Sequence, residues 1–185
     1  MAAILSQNQI EQYNTEGYVT PIQIMDAAEA EVLRANLEAP EAARGGNLEP
    51  SQRSKAHLLF KWLDDLIRDA RVLEPIEQLI GPNILCWGSS FFQKEAHGPG
   101  FVSWHQDSTY AGMAMPEKAV TVWLALTPST PASGCLRVVP RSHKWGQLAH
   151  EFKPSNENML SRGQHIVVGE KIADFTNEAI DLRLQ

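Results

Sequence analysis

The sequence has little cysteine: Cys86 and Cys135 are the only two in 185 residues, each inside an apolar run. That rules out a disulfide framework, and both read as packing thiols. Clustered positive charge is also lacking, since 16 basic side chains stand against 22 acidic ones for a formal charge of -6. A nucleic-acid partner is therefore not expected. Long apolar runs are missing too. The uncharged stretch from Ile84 to Gln93 is broken by Gly88 and two serines, too short to span a bilayer, so no membrane segment is expected. Met1 to Ile10 has neither a basic n-region nor a sustained apolar h-region, which reads as no signal peptide and a cytoplasmic location. There is no internal repeat and no low-complexity tract. What remains is 43% hydrophobic and 21% charged, the composition of one globular domain over residues 1–185 with a real core.

The first 80 residues read as helical. Ser6 with Gln9 and Asp26 with Glu29 have the spacing of capping boxes. The first predicts a helix ending at Gly17. The second predicts one carrying Val32, Leu33 and Leu37 on one stripe and stopping before Pro40. Residues 39–54, rich in Gly, Pro and polar side chains, read as a loop. His57 to Ile67 presents a broad apolar stripe of Leu58, Leu59, Trp62, Leu63, Leu66 and Ile67. Asp69 then opens a helix closed by Gly81, with Pro75 as a kink or as its true start.

After Gly81 the pattern changes to short β-branched and aromatic runs: 83–94, 101–104, 119–126, 135–139, 165–168 and 180–184. Turn clusters at 97–100, 127–134 and 140–144 separate them. Helices followed by many short strands predict a mainly β sandwich or barrel, residues 81–185, buttressed by residues 1–80.

The densest chemical signal is Trp104-His105-Gln106-Asp107. In an extended chain residues i and i+2 share a face, so His105 and Asp107 present an imidazole and a carboxylate together. Such a pair can grip one metal ion. With one more imidazole it makes the two-His-one-carboxylate set of non-haem Fe(II) oxygenases. An isolated H-x-D is common by chance, so its surroundings matter. Trp104 offers an apolar shoulder, and Ser108-Thr109-Tyr110 continues as a loop through which substrate could reach the centre.

Five blocks together carry a resemblance: Gly81 to Ile84 with Phe91-Phe92-Gln93-Lys94; Trp104 to Asp107; Val122-Trp123-Leu124-Ala125-Leu126; Gly134 to Val139; and Pro140-Arg141-Ser142-His143-Lys144. In order and spacing the chain resembles the phytanoyl-CoA dioxygenase family. The resemblance implies a double-stranded β-helix (jelly roll) that holds Fe(II) and uses 2-oxoglutarate and O₂ on a small-molecule substrate. His105 and Asp107 fall on its first two metal ligands. Asp107 stands where related halogenases carry Ala or Gly, which favours hydroxylation over chlorination. Trp123 falls where the family sets an aromatic residue against 2-oxoglutarate, although most tryptophans simply pack in cores. Gln93 and Lys94 close the strand before the turn, and one of them should point inward to meet a carboxylate.

Other histidines are weaker candidates. His143, in a segment that is a structural turn in the family, reads as structural. His150 and His165 are the other downstream candidates for a third ligand, and His165 sits in a strand-like run with no ligand signature, while His57 and His97 have no metal spacing to anything. In the family, a segment like Ala179 to Gln185 leads into a Pro-Gly turn, a distal His ligand and an Arg for the far carboxylate of 2-oxoglutarate. The sequence stops before all three. The resemblance thus implies a member lacking its distal His, that Arg and its last strands, with sheet edges and apolar surface exposed. Two other readings compete: a non-catalytic remnant serving as a binding module, and a cupin-like isomerase or lectin. The five blocks disfavour the latter. Substrate and oligomeric state are not readable.

Overall fold

Helix starts leave backbone N–H groups without partners, and three sequence-predicted caps satisfy them. In the computed structural model of the chain, which describes residues 5–111, 118–160 and 162–184, α1 (Gln7–Glu16) begins at Ser6. The Ser6 hydroxyl accepts from the Gln9 amide at 3.3 Å, and the Gln9 side chain accepts from the Ser6 amide at 2.9 Å. Asp26 and Glu29 repeat the exchange at the start of α2 (Ala27–Arg44). Asp69 accepts from the Arg71 amide at 2.8 Å to open α5 (Ala70–Ile80).

The ends depart from expectation. α2 runs through Pro40 to Arg44 and closes at Gly45 (φ 76°), so residues 39–54 are largely helical, with α3 at Pro50–Arg53. Pro40 forfeits one backbone bond, but Ala39, Ala42 and Ala43 are strong helix formers. Glu41 is also held from outside, accepting from the Leu48 amide (3.1 Å) and from Gln93 Nε2 (2.8 Å). Pro75 lies buried inside α5 and neither ends nor starts it. The stripe at 57–67 splits into a 3₁₀ turn (Ala56–Leu58) and α4 (Lys61–Ile67). Leu63 is consequently buried, whereas Leu58 is 71% exposed.

The strands are shorter than the sequence suggests. β1 (Leu136–Val138) pairs antiparallel with β5 (Ile180–Leu182), and Arg137 opposite Asp181 forms an ion pair at 3.1 Å. β2 (His150–Phe152), β3 (Gln164–Val168) and β4 (Lys171–Ile172) form a second antiparallel sheet with β3 central. Residues 83–94 and 119–126 are not in strands, and Phe101 makes only an isolated bridge to Asn158. Strand propensity is realised against cross-strand neighbours. Without them Leu85 is 84% exposed, and Trp87 and Val122 are exposed as well. Cys86 is also exposed, against the expectation that it packs, whereas Cys135 is buried. Among the described residues no helix is long and apolar enough to cross a membrane.

The N-terminal helix is fastened to a distant turn. Gly17 closes α1 at φ 85°, and there Arg141 donates its amide to the Glu16 carbonyl (2.8 Å) while its guanidinium pairs with the Glu16 carboxylate (3.2 Å). His143 Nε2 donates to the Asn14 carbonyl at 3.2 Å. A side chain at Gly17 would both occupy the left-handed region and press on the His143 ring, its Cβ 2.8 Å from Cγ. Gly17→Ala should therefore cost about 2 kcal/mol, a Tm fall of roughly 4–8 °C for a chain of this size. Thermal unfolding followed by circular dichroism checks this; an unchanged Tm would mean that α1 is not seated on His143.

Candidate metal centre

The chain entering His105 is tied down on one side. Buried Ser103 donates its hydroxyl to the Gln164 carbonyl (2.5 Å) and accepts from Asn158 Nδ2 (2.9 Å), and the Ile166 amide donates to the Trp104 carbonyl (3.0 Å). Residues 103–104 are thereby stitched to β3. Beyond them the chain turns into α6 (Ser108–Ala111), with the Thr109 amide on the Gln106 carbonyl at 3.1 Å. His105 and Asp107 project from this turn.

His105 Nδ1 lies 2.8 Å from the Ser103 carbonyl and so carries the proton that it donates there. The other ring nitrogen, Nε2, faces Asp107 Oδ1 at 3.2 Å. The second carboxylate oxygen accepts from the Thr121 hydroxyl. The imidazole side chain is 22% exposed and the carboxylate 53%, so one is sheltered while the other borders solvent. Burial pulls the His105 pKa down, but hydrogen bonds to Asp107 and to the Ser103 carbonyl, with the attraction of Asp107, outweigh it and leave the pKa raised. The hydrogen bond from His105 is the main cause of the lowered Asp107 pKa; burial opposes it, and Thr121 and the imidazole charge assist.

This donor set fits a first-row divalent metal. Nitrogen and oxygen donors each about 2.1 Å from one ion, at a right angle, stand about 3.0 Å apart, close to the 3.2 Å observed. An Nδ1–H···O=C bond that leaves Nε2 toward the ion is the usual support of a ligating histidine. Thr121 was not singled out from sequence. Its signal is the alternation that places it two residues before Trp123 in the run 119–126.

The remaining candidates are dispersed. Gln93 accepts from Arg53 Nη2 and donates to Glu41, both at 2.8 Å. Lys94 Nζ donates to the Gly134 carbonyl at 2.9 Å. Trp123, 37% exposed, packs against Phe92 with ring centroids 5.9 Å apart. His57 is tied to Ser89 and His143 to α1, while His165 lies beside Phe101. His150 is nearest to the pair along the hydrogen-bond network, accepting from the Gln106 amide at 3.1 Å. Among the described residues no three His, Cys, Asp or Glu side chains are grouped to hold a metal. The loop expected from Ser108 opens instead as α6, and residues 112–117 lie outside the described residues.

The chain can now be set beside known proteins. Ectoine dioxygenase of Streptomyces avermitilis is 26% identical over 149 residues, 73% of this chain and 50% of its own length. That of Nocardia farcinica is 28% identical over 138 residues, 70% of this chain and 46% of its own length. The chain thus spans about half the length of the curated relatives it matches. Among solved structures, the apo non-heme monooxygenase ThoJ superposes with a TM-score of 0.75 at 28% identity, covering 95% of this chain and 64% of that one. A family model, phytanoyl-CoA dioxygenase (PhyH), matches residues 13–176 and so takes in the helices from α2 to α6, the His105–Asp107 turn and the β2–β3–β4 sheet that holds it. By that match the chain belongs to the phytanoyl-CoA dioxygenase family.

Proposed function

We propose that the chain is the metal-binding part of an Fe(II)- and 2-oxoglutarate-dependent hydroxylase of the jelly-roll type, with His105 and Asp107 as two of its three protein ligands. The observation that carries this reading is the 3.2 Å approach of His105 Nε2 to Asp107 Oδ1, with Nδ1 already tied to the Ser103 carbonyl. Bound iron would supply the oxidation of a C–H bond by O₂, coupled to decarboxylation of 2-oxoglutarate to succinate and CO₂. The chain's own part is to orient and shelter. Ser103 holds His105 in one tautomer, Thr121 fixes the carboxylate rotamer, and Trp123 offers an apolar wall for the co-substrate. Gln93 and Lys94 would reach a carboxylate only by exchanging Arg53 and Glu41, or Gly134, for it.

The test is succinate formation from 2-oxoglutarate with Fe(II), ascorbate and O₂, with ectoine first in a panel of small molecules. A family member spanning the relatives' full length is assayed in parallel, along with His105→Ala at the matching position. Substrate-stimulated succinate that disappears with the histidine supports the reading. A second reading, a non-catalytic binding module, is favoured by the count of two grouped donors among the described residues. Ligand binding with no succinate from any form would select it.

Protonation gives a further expected outcome. A metal ion must displace the proton from His105 Nε2, and the His105 pKa is raised above 6.5. Affinity for Mn(II) should rise about tenfold per pH unit below that pKa and level off above it. In the metal-free chain the signs are separate. The His105 contribution to stability is complete below its unfolded value of 6.5 and is lost as pH rises through the higher folded pKa. The Asp107 contribution is complete above 3.8 and is lost as pH falls through the lower folded pKa. Mn(II) titrations from pH 6 upward check the first; a flat profile would show that His105 Nε2 is not the donor.

A further inference from the structure

We propose that His150 is a positioning residue for the metal pair: a neutral imidazole protonated on Nδ1, whose Nε2 accepts the backbone N–H of Gln106 and so fixes the turn from which His105 and Asp107 project. The inference rests on reading those two side chains as ligands, and it adds a residue that the H-x-D pattern does not contain.

The tautomer follows from the partners. His150 Nδ1 lies 2.9 Å from the Leu148 carbonyl, and a carbonyl only accepts, so Nδ1 carries the hydrogen. Nε2 then bears the lone pair and faces the Gln106 amide at 3.1 Å. Both ring nitrogens are engaged, so His150 could ligate a metal only by releasing Gln106. This separates it from the role of third ligand.

The contact is part of a larger clamp. The Gln106 side chain accepts from the Leu148 amide (2.7 Å) and from Gln147 Nε2 (3.1 Å), and donates to the Gly146 carbonyl (2.8 Å). Gln147 also bonds to Ser108 (2.6 Å) and Thr109 (2.9 Å) at the start of α6. Residues 146–150 thus grip the residue between the two ligands and the two after them. The clamp is anchored, because His150 sits in β2 opposite Ile166 of β3, and Ile166 donates to the Trp104 carbonyl. The path Trp104–Ile166–His150–Gln106 closes a ring through the sheet, with His105 as the link between Trp104 and Gln106 and Asp107 just beyond it. Outer partners that orient ligands are worth about 10- to 100-fold in metal affinity.

The experiment uses the whole chain and His150→Leu, His150→Gln and His105→Ala. In the metal-free protein the imidazole ¹⁵N shifts should show His150 with a pyrrole-like Nδ1 and a pyridine-like Nε2, and the Gln106 amide should be protected from exchange. His150→Leu should weaken Mn(II) binding about 10- to 100-fold. His150→Gln, which returns an acceptor near the Nε2 position, should restore most of it even at equal Tm, which a merely structural role would not predict. If Mn(II) binding falls in His105→Ala and not in His150→Leu, the positioning role is overturned and the metal reading stands. If neither variant alters it, the metal reading itself fails and the positioning role with it. Should His150→Leu not fold, the ring shifts and His150→Gln still decide: an Nε2–H tautomer, or Mn(II) moving the His150 nitrogens as it moves those of His105, overturns the proposal.

Discussion

Asp107→Ala should lower affinity for Mn(II) or Fe(II) by more than 100-fold and, in a family member of full length, reduce succinate formation to background. The magnitude is set by comparison, since losing an outer partner of a ligand costs about 10- to 100-fold and losing the ligand itself must cost more. The substitution removes three things at once: one of the two grouped donors, the acceptor for Thr121, and the charge that raises the His105 pKa. Asp107→Asn separates them, because its single oxygen still accepts from Thr121 and its amide N–H can donate to neutral His105 Nε2, while the charge and the second oxygen are lost. If the carboxylate is a ligand, Asn should behave nearly as badly as Ala in metal binding while retaining the folded stability that Ala loses. Electron paramagnetic resonance of free Mn(II) reads the affinity, and a succinate assay reads turnover. Undiminished turnover in Asp107→Ala would remove Asp107 from the ligand set.

The 185 residues assayed by themselves should turn over 2-oxoglutarate at least about 100-fold more slowly than a family member of the relatives' full length. An iron site of this class takes two imidazoles and a carboxylate, and the described residues group one of each. The cation read from sequence and the one beside it are both engaged: Lys94 donates to the Gly134 carbonyl, and Arg53 donates to Gln93. Initial rates of succinate formation, with Fe(II) saturating for each protein, make the comparison. A rate within tenfold of the full-length relative would mean that His143, His150 or His165 leaves its present partners to complete the set, and His150 would then be the first to examine.

What was legible in the sequence follows what is local. Ser6, Asp26 and Asp69 announced their helices because a cap is an interaction over two or three residues. The approach of His105 to Asp107 was legible because the two are only two residues apart, although a turn and not an extended strand brings them together. The misses involve partners far away in the chain. Pro40 reads as a stop, yet α2 passes through it because Leu48 and Gln93 hold Glu41 from outside. Residues 83–94 and 119–126 have strong β character, and the described residues give them no ladder. The alternating pattern that should aim Gln93 at a cofactor instead serves a bond across 52 residues to Glu41 and one across 40 to Arg53. Thr121 and His150 act at the site through single contacts 14 residues from Asp107 and 44 from Gln106, spacings that belong to no motif.

The seat of α1 on the turn at Arg141–His143 has a consequence for synthesis. The helix leaves the ribosome well before its dock, since its Glu16–Arg141 and Asn14–His143 contacts span 125 and 129 residues. At 5–20 residues per second, roughly 6–25 s of translation separate the helix from its dock. During that interval the residue just before its cap, Leu5, can already exchange hydrogen bonds with Gln78 of α5. An element made early is thus secured late, so a chain released before residue 143 would carry α1 with its far end untethered.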